Sequence, residues 1–126
     1  SSTNQDSFSY TFLDSGWMFC VACDGHGEAG EVVSQRVTRM IPLFFSLAIT
    51  QEGPEQALRT AFLESQADLE RCFSTAQAAS GACVAVCCVH VDRQEAWVAH
   101  AGDSRVIVAD LASGAAVFST EEHKAH

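Results

Sequence analysis

Basic residues are scarce in this sequence. Across 126 residues, 7 Lys+Arg stand against 16 Asp+Glu, a formal net charge of −9. A chain that binds nucleic acid needs a Lys/Arg footprint, and these few basic residues are scattered without a cluster, which argues against nucleic acid as a partner. Long apolar runs are also missing. The two longest, Met40 to Ile49 and Ala82 to Val91, are about half of the roughly 18–20 residues that a membrane span requires. No membrane span is expected. The opening Ser1-Ser2-Thr3-Asn4-Gln5-Asp6 carries neither the basic nor the apolar stretch of a signal peptide, and it lacks Met. The chain therefore reads as a piece of something longer. No internal repeat or low-complexity segment is visible.

What is present indicates a packed domain or part of one. Hydrophobic residues make up 48% of the chain and include 8 Phe and 2 Trp distributed along it, a composition that excludes intrinsic disorder. The length allows one small domain with a real core. The 6 cysteines, Cys20, Cys23, Cys72, Cys83, Cys87 and Cys88, fall mostly within apolar alternations and read as reduced core residues. That usage fits an intracellular protein, cytoplasmic or nuclear. Cys20 and Cys23 have zinc-like spacing, but they lie in an apolar run, and a structural zinc site needs four ligands arranged by turns. Cys87 and Cys88 should point to opposite faces of a strand. Neither has a visible His and Asp context that would make it a nucleophile.

Ser7 to Leu13 and Trp17 to Asp24 are aromatic and β-favouring, with the turn signal Asp14-Ser15-Gly16 between them, and predict a hairpin. After Gly30 the spacing becomes helical, with Val33, Val37, Met40/Ile41, Phe44 and Ala48 on one stripe; Pro42 should kink or restart this helix. A second helix is expected after Gly53-Pro54, with Leu58, Phe62, Leu69 and Phe73 as its stripe, to about Thr75. Ala82 to Val91, Glu95 to Ala101, Arg105 to Ala109 and Ala115 to Phe118 read as strands joined by short turns. Strands, then helices, then strands again predict an α+β fold with an antiparallel sheet.

Chemistry has three candidate seats. In Cys23-Asp24-Gly25-His26-Gly27, a buried strand delivers a carboxylate at its end, two glycines permit unusual backbone angles, and an imidazole follows. An Asp carboxylate and a neighbouring Gly carbonyl are oxygen ligands suited to magnesium or manganese. Taken alone, the segment reads more readily as a glycine-rich turn. Ala101-Gly102-Asp103-Ser104-Arg105 alone reads as a hairpin turn, and Asn4-Gln5-Asp6 as a polar strand entry. Together they place three acidic residues at strand ends, where clustered carboxylates would repel until a metal ion relieved them.

In order and spacing, Asp24-Gly25-His26-Gly27, then Ser80-Gly81, then Ala101-Gly102-Asp103-Ser104-Arg105, then Thr120-Glu121-Glu122-His123-Lys124 resemble the motifs of the metal-dependent type 2C serine/threonine protein phosphatases. The resemblance covers residues 1–126 and corresponds to the N-terminal part of that family's catalytic domain. It implies a β-sandwich flanked by helices, a four-layer α-β-β-α arrangement of which this chain would be a part. The implied activity is hydrolysis of phosphoserine and phosphothreonine in phosphoprotein substrates by water activated at two Mg²⁺ or Mn²⁺ ions. On that resemblance Asp24 would bridge the two metals and Gly25 would lend its backbone carbonyl. His26 would protonate the leaving oxygen, Asp6 would hold metal-bound water, and Asp103 would support a third, weaker ion. Arg105 would brace its turn.

The sequence also departs from the family pattern. Gln5 stands beside Asp6 where many relatives carry an acidic pair, and Ser1 stands where the family often places a phosphate-binding Arg. Cys83 replaces a usual Thr, His100 a usual Asn and Glu122 a usual Asp, and these read as structural variation. The family's later metal-binding acids would lie past His126. The alternative function is therefore a catalytically inactive phosphatase-like scaffold or binding module. Nothing in the sequence sets the oligomeric state.

Overall fold

The computed structural model describes residues 6–25, 27, 30–73, 82–102, 105–111 and 121–122. The elements run β1 (Asp6–Phe12), β2 (Met18–Gly25), α1 (Gly30–Ala48), α2 (Pro54–Cys72), β3 (Ala82–His90), β4 (Glu95–Gly102), β5 (Arg105–Asp110) and β6 (Glu121–Glu122). The strands form one sheet in the order β1-β2-β3-β4-β5-β6, every neighbouring pair antiparallel. Both helices pack on one face of it, so the fold is α+β as the sequence predicts. The described residues thus supply one sheet and one helical layer of the four-layer arrangement. The strand expected over Ala115 to Phe118 lies outside them, while the two-residue β6 was not anticipated. No described helix is long and apolar enough to cross a membrane.

Strand alternation decides which side chains meet the helices. Phe19, Val21 and Cys23 of β2, Val84, Val86 and Cys88 of β3, and Val106 and Val108 of β5 point inward. They meet Val33, Val37, Ile41, Phe45 and Ala48 of α1 and Ala57, Leu58, Ala61 and Phe62 of α2. Cys87 and Cys88 do face opposite sides. The α1 stripe is rotated slightly from the expected one, with Phe45 fully buried and Phe44 only partly so. Phe45 sits four residues on from Ile41, which the 3.6-residue turn carries to the same face.

Pro42 does not restart the helix; α1 runs unbroken through it. A proline lacks the N–H that would bond the carbonyl four residues earlier. That carbonyl, Thr38 O, instead accepts a hydrogen bond from the Ser9 hydroxyl of β1 at 2.7 Å. The gap left by the proline becomes a tie between helix and sheet.

The hairpin turn between β1 and β2 is held by Leu13 N–H donating to Trp17 O at 2.8 Å and Gly16 N–H donating to Leu13 O at 2.9 Å. Gly16 has φ 94°, and a Cβ there would lie 2.5 Å from His90 Nε2. Only glycine fits both the angle and the space. His90 Nδ1 accepts the Arg93 N–H at 3.3 Å, which assigns the proton to Nε2, the donor to Ser15 O at 3.0 Å.

One buried charge escapes the apolar stripe of α2. Asp68, its side chain 6% exposed, receives Arg36 Nε on Oδ2 and Arg36 Nη2 on Oδ1, both at 2.8 Å, tying α1 to α2. This two-pronged geometry is the strong form of an Arg–carboxylate pair. The hydrogen bonds from Arg36 hold the Asp68 carboxyl below its usual range, against the opposing effect of burial. The unfolded chain therefore binds a proton at Asp68 more readily than the folded one. The stability this pair supplies is complete above the ordinary aspartate value of about 3.9 and is lost as pH falls through and below it. Urea unfolding between neutral pH and pH about 3 should show this loss in the natural protein and a flatter profile in Asp68→Asn. Equal slopes in the two would remove Asp68 from the acid response.

Candidate functional site

Asp6 opens β1 and Asp24 lies near the end of β2, and the antiparallel register sets them directly opposite one another. Both occupy the face of the sheet away from the helices, because Ser7 and Cys23 beside them point toward the helical side. Ser7 Oγ contacts Ser34 Oγ of α1 at 3.0 Å, which anchors the start of β1. The two carboxyl groups interact. A hydrogen bond with Asp24, reinforced by its charge and then by desolvation, raises the Asp6 carboxyl above the usual range. A like charge brought close to a carboxylate disfavours its ionised form.

The segment after Asp24 turns the chain from strand to helix. Gly25 is buried and pairs with Ala82 of β3. Gly27 takes φ 90°, a left-handed angle that favours glycine, and its carbonyl accepts the Gly30 N–H at 3.2 Å as α1 begins. The β4–β5 connection returns at the same end of the sheet: Cys83 lies opposite Asp24, Val84 opposite Ala101, and Gly102 opposite Arg105. The two remaining candidates, His26 and Asp103, lie outside the described residues.

A cavity of about 590 Å³ opens at this end, lined by Asp6, Ser7, Phe8, Ala22, Cys23, Asp24, Cys83, Val84, Ala85 and His100. Cys83 and His100, read from the sequence as structural variation, are thus walls of the site. A Cβ built on Gly102 would lie 3.3 Å from His100 Cε1 and 3.4 Å from Cys83 Sγ, so the bare glycine leaves room for both. The signal that could have found them is strand register, since Cys83 faces Asp24 across the ladder. Cys23 is no nucleophile: burial first, then the charge of Asp24, pushes its thiol up to about 12.

Among the described residues, no group of three or more His, Cys, Asp and Glu side chains is arranged to hold a metal ion. The Asp6–Asp24 pair does suit a hard divalent cation. Such an ion takes carboxylate oxygens and would relieve the repulsion between the two carboxylates.

The chain has recognisable relatives. The family model described as Protein phosphatase 2C matches residues 4–126. A curated mouse protein, the probable protein phosphatase 1N of Mus musculus, is 32% identical over 119 residues, which are 90% of this chain and 28% of that protein. Among solved structures, a bacterial serine phosphatase aligns with TM-score 0.61 at 22% identity, over 97% of this chain and 60% of its own. A stage II sporulation E family protein from Thermanaerovibrio acidaminovorans aligns with TM-score 0.56 at 24% identity, over 80% of this chain and 47% of its own. These structural likenesses speak to the fold. The chain spans less than a third of the curated relative's length.

Proposed function

The chain belongs to the protein phosphatase 2C family, and on that footing we propose that the protein carrying it hydrolyses phosphoserine and phosphothreonine in phosphoprotein substrates with Mg²⁺ or Mn²⁺ as cofactor. The observation that carries this reading is the opposed pair Asp6 and Asp24, sharing a hydrogen bond and lining a cavity on the face of the sheet away from the helices. When bound, divalent cations make water a nucleophile at neutral pH and offset the charge of a phosphoryl group.

In this reading Asp24 is the principal ligand, with the Gly25 carbonyl beside it, and Asp6 orients water. His26 gives its proton to the seryl or threonyl oxygen as the P–O bond breaks, and Asp103 supports a weaker additional cation. Phosphoproteins in the cytoplasm or nucleus are the substrates, in keeping with six cysteines that are all free thiols.

The test is hydrolysis of a phosphothreonine peptide by the longest natural form of the protein that contains this chain, with Mg²⁺, with Mn²⁺ and with a chelator. Metal-dependent phosphate release, stopped by the chelator, is the expected result. A folded protein that releases no phosphate with either ion, and shows no calorimetric Mn²⁺ binding, would overturn the reading and leave a scaffold that keeps the family's fold without its chemistry.

A further inference from the structure

On the face of the sheet away from the helices, strand register sets the side chains in rows. The row at the strand ends holds Asp6, Asp24 and Cys83, with Gly102 beside Cys83. The next row runs Phe8, Ala22, Ala85, His100 and Ile107, and among these described residues His100 alone is polar. In the four-layer arrangement a second sheet covers this face and withdraws the imidazole from water. A buried imidazole needs hydrogen-bond partners, and no other side chain of its row offers one. The ring leans toward the acidic row instead. A Cβ built on Gly102 would lie 3.3 Å from His100 Cε1, the atom between the two ring nitrogens, and 3.4 Å from Cys83 Sγ. The bare glycine thus gives the ring its place beside Cys83, which stands directly opposite Asp24. All of Asp6, Asp24, Cys83 and His100 line the cavity of about 590 Å³.

Distance decides what the ring does there. β4 is two strands from β2, about 9.6 Å at the usual spacing. Side chains that stand up from a sheet do not close that gap onto one ion, in keeping with the lack of three convergent metal ligands among the described residues. A longer link fits. A carboxylate–metal bond of about 2.1 Å, a second from the metal to water and a hydrogen bond of about 2.9 Å together span roughly 7 Å, and the lean of the two side chains covers the rest. A small hard cation also keeps several of its waters, and in a site closed by a second sheet each of them needs an acceptor. Resting on the phosphatase reading above, we propose that His100 is a positioning residue: a ring nitrogen accepts a hydrogen bond from water held by the cation at Asp24, which fixes the cation's hydration and tightens its binding.

The experiment uses the longest natural form of the protein, its histidine rings isotopically labelled for NMR, with Mn²⁺ as a paramagnetic probe. The His100 ring signals are those missing from the His100→Asn spectrum. Substoichiometric Mn²⁺ should broaden them and leave those of His90, at the other end of β3, sharp. In calorimetry His100→Leu should bind Mn²⁺ at least about ten-fold more weakly, the usual effect of losing a partner just outside the ligands. His100→Asn, whose side-chain carbonyl is also an acceptor, should stay within about three-fold of the natural protein. Melting temperature should move the other way, because exchanging a polar ring for leucine on an apolar face leaves it unchanged or raises it. Broadening of His100 no greater than that of His90, Mn²⁺ affinity undiminished in His100→Leu, or affinity lost only in step with melting temperature would each overturn the proposal. A natural protein that binds no Mn²⁺ overturns the phosphatase reading and this proposal with it; one that binds the ion equally well with leucine at position 100 overturns this proposal alone.

Discussion

Asp24→Asn should lower metal-dependent phosphate release by at least about a hundred-fold and weaken Mn²⁺ binding in parallel, with little change in melting temperature. The reason lies in the geometry of the pair. Asp24 is exposed among the described residues and points away from the helices, so its substitution leaves no cavity between the sheet and α1 and α2. An asparagine there can still donate a hydrogen bond to Asp6 across the ladder, which preserves the register that sets the two opposite. What it cannot supply is the second negative charge for a hard divalent cation. The comparison needs kcat/KM, calorimetric Mn²⁺ affinity and thermal unfolding on the same preparation. If Asp24→Asn keeps turnover within several-fold of the parent, Asp24 is not the principal ligand. Asp6→Asn, which removes the carboxylate read as orienting water, should cost less than Asp24→Asn.

How much of this was legible in the sequence depends on the distance over which each signal acts. The hairpin was readable because Asp14-Ser15-Gly16 and the flanking alternation are local. The left-handed Gly16 and the packing of His90 against it explain why that turn needs its glycine. Pro42 was misleading because the compensating donor, Ser9, comes from another element. Asp68 lies off the apolar stripe read for α2, and its burial follows from Arg36 on the neighbouring helix. At the site, Asp6 and Asp24 were singled out by their motifs and by the family resemblance. Their approach, and the presence of Cys83 and His100 in the same wall, are consequences of strand register, which no local pattern states. The expected roles of His26 and Asp103 rest on the resemblance alone, since both lie outside the described residues.

Phe45→Ala should cost about 3–5 kcal/mol, a large share of the roughly 5–15 kcal/mol that holds a domain together. Phe45 is 0% exposed, and its ring packs against Trp17 at 5.8 Å, nearly edge-on, and against Phe19 at 4.8 Å. These three aromatics join α1 to β2, the strand that carries Asp24. Truncation removes the buried ring and also strands contacts of Trp17 and Phe19, which neighbours fixed in a close-packed core refill only in part. The midpoint of urea unfolding should fall with little change in slope. Phe44→Ala, at a position only partly buried, should cost clearly less. The pair of variants therefore measures the rotation of α1 about its axis. A larger loss at Phe44 than at Phe45 would mean that the helix presents the face read from the sequence stripe, and the packing that fixes β2 behind the carboxylate pair would have to be redrawn.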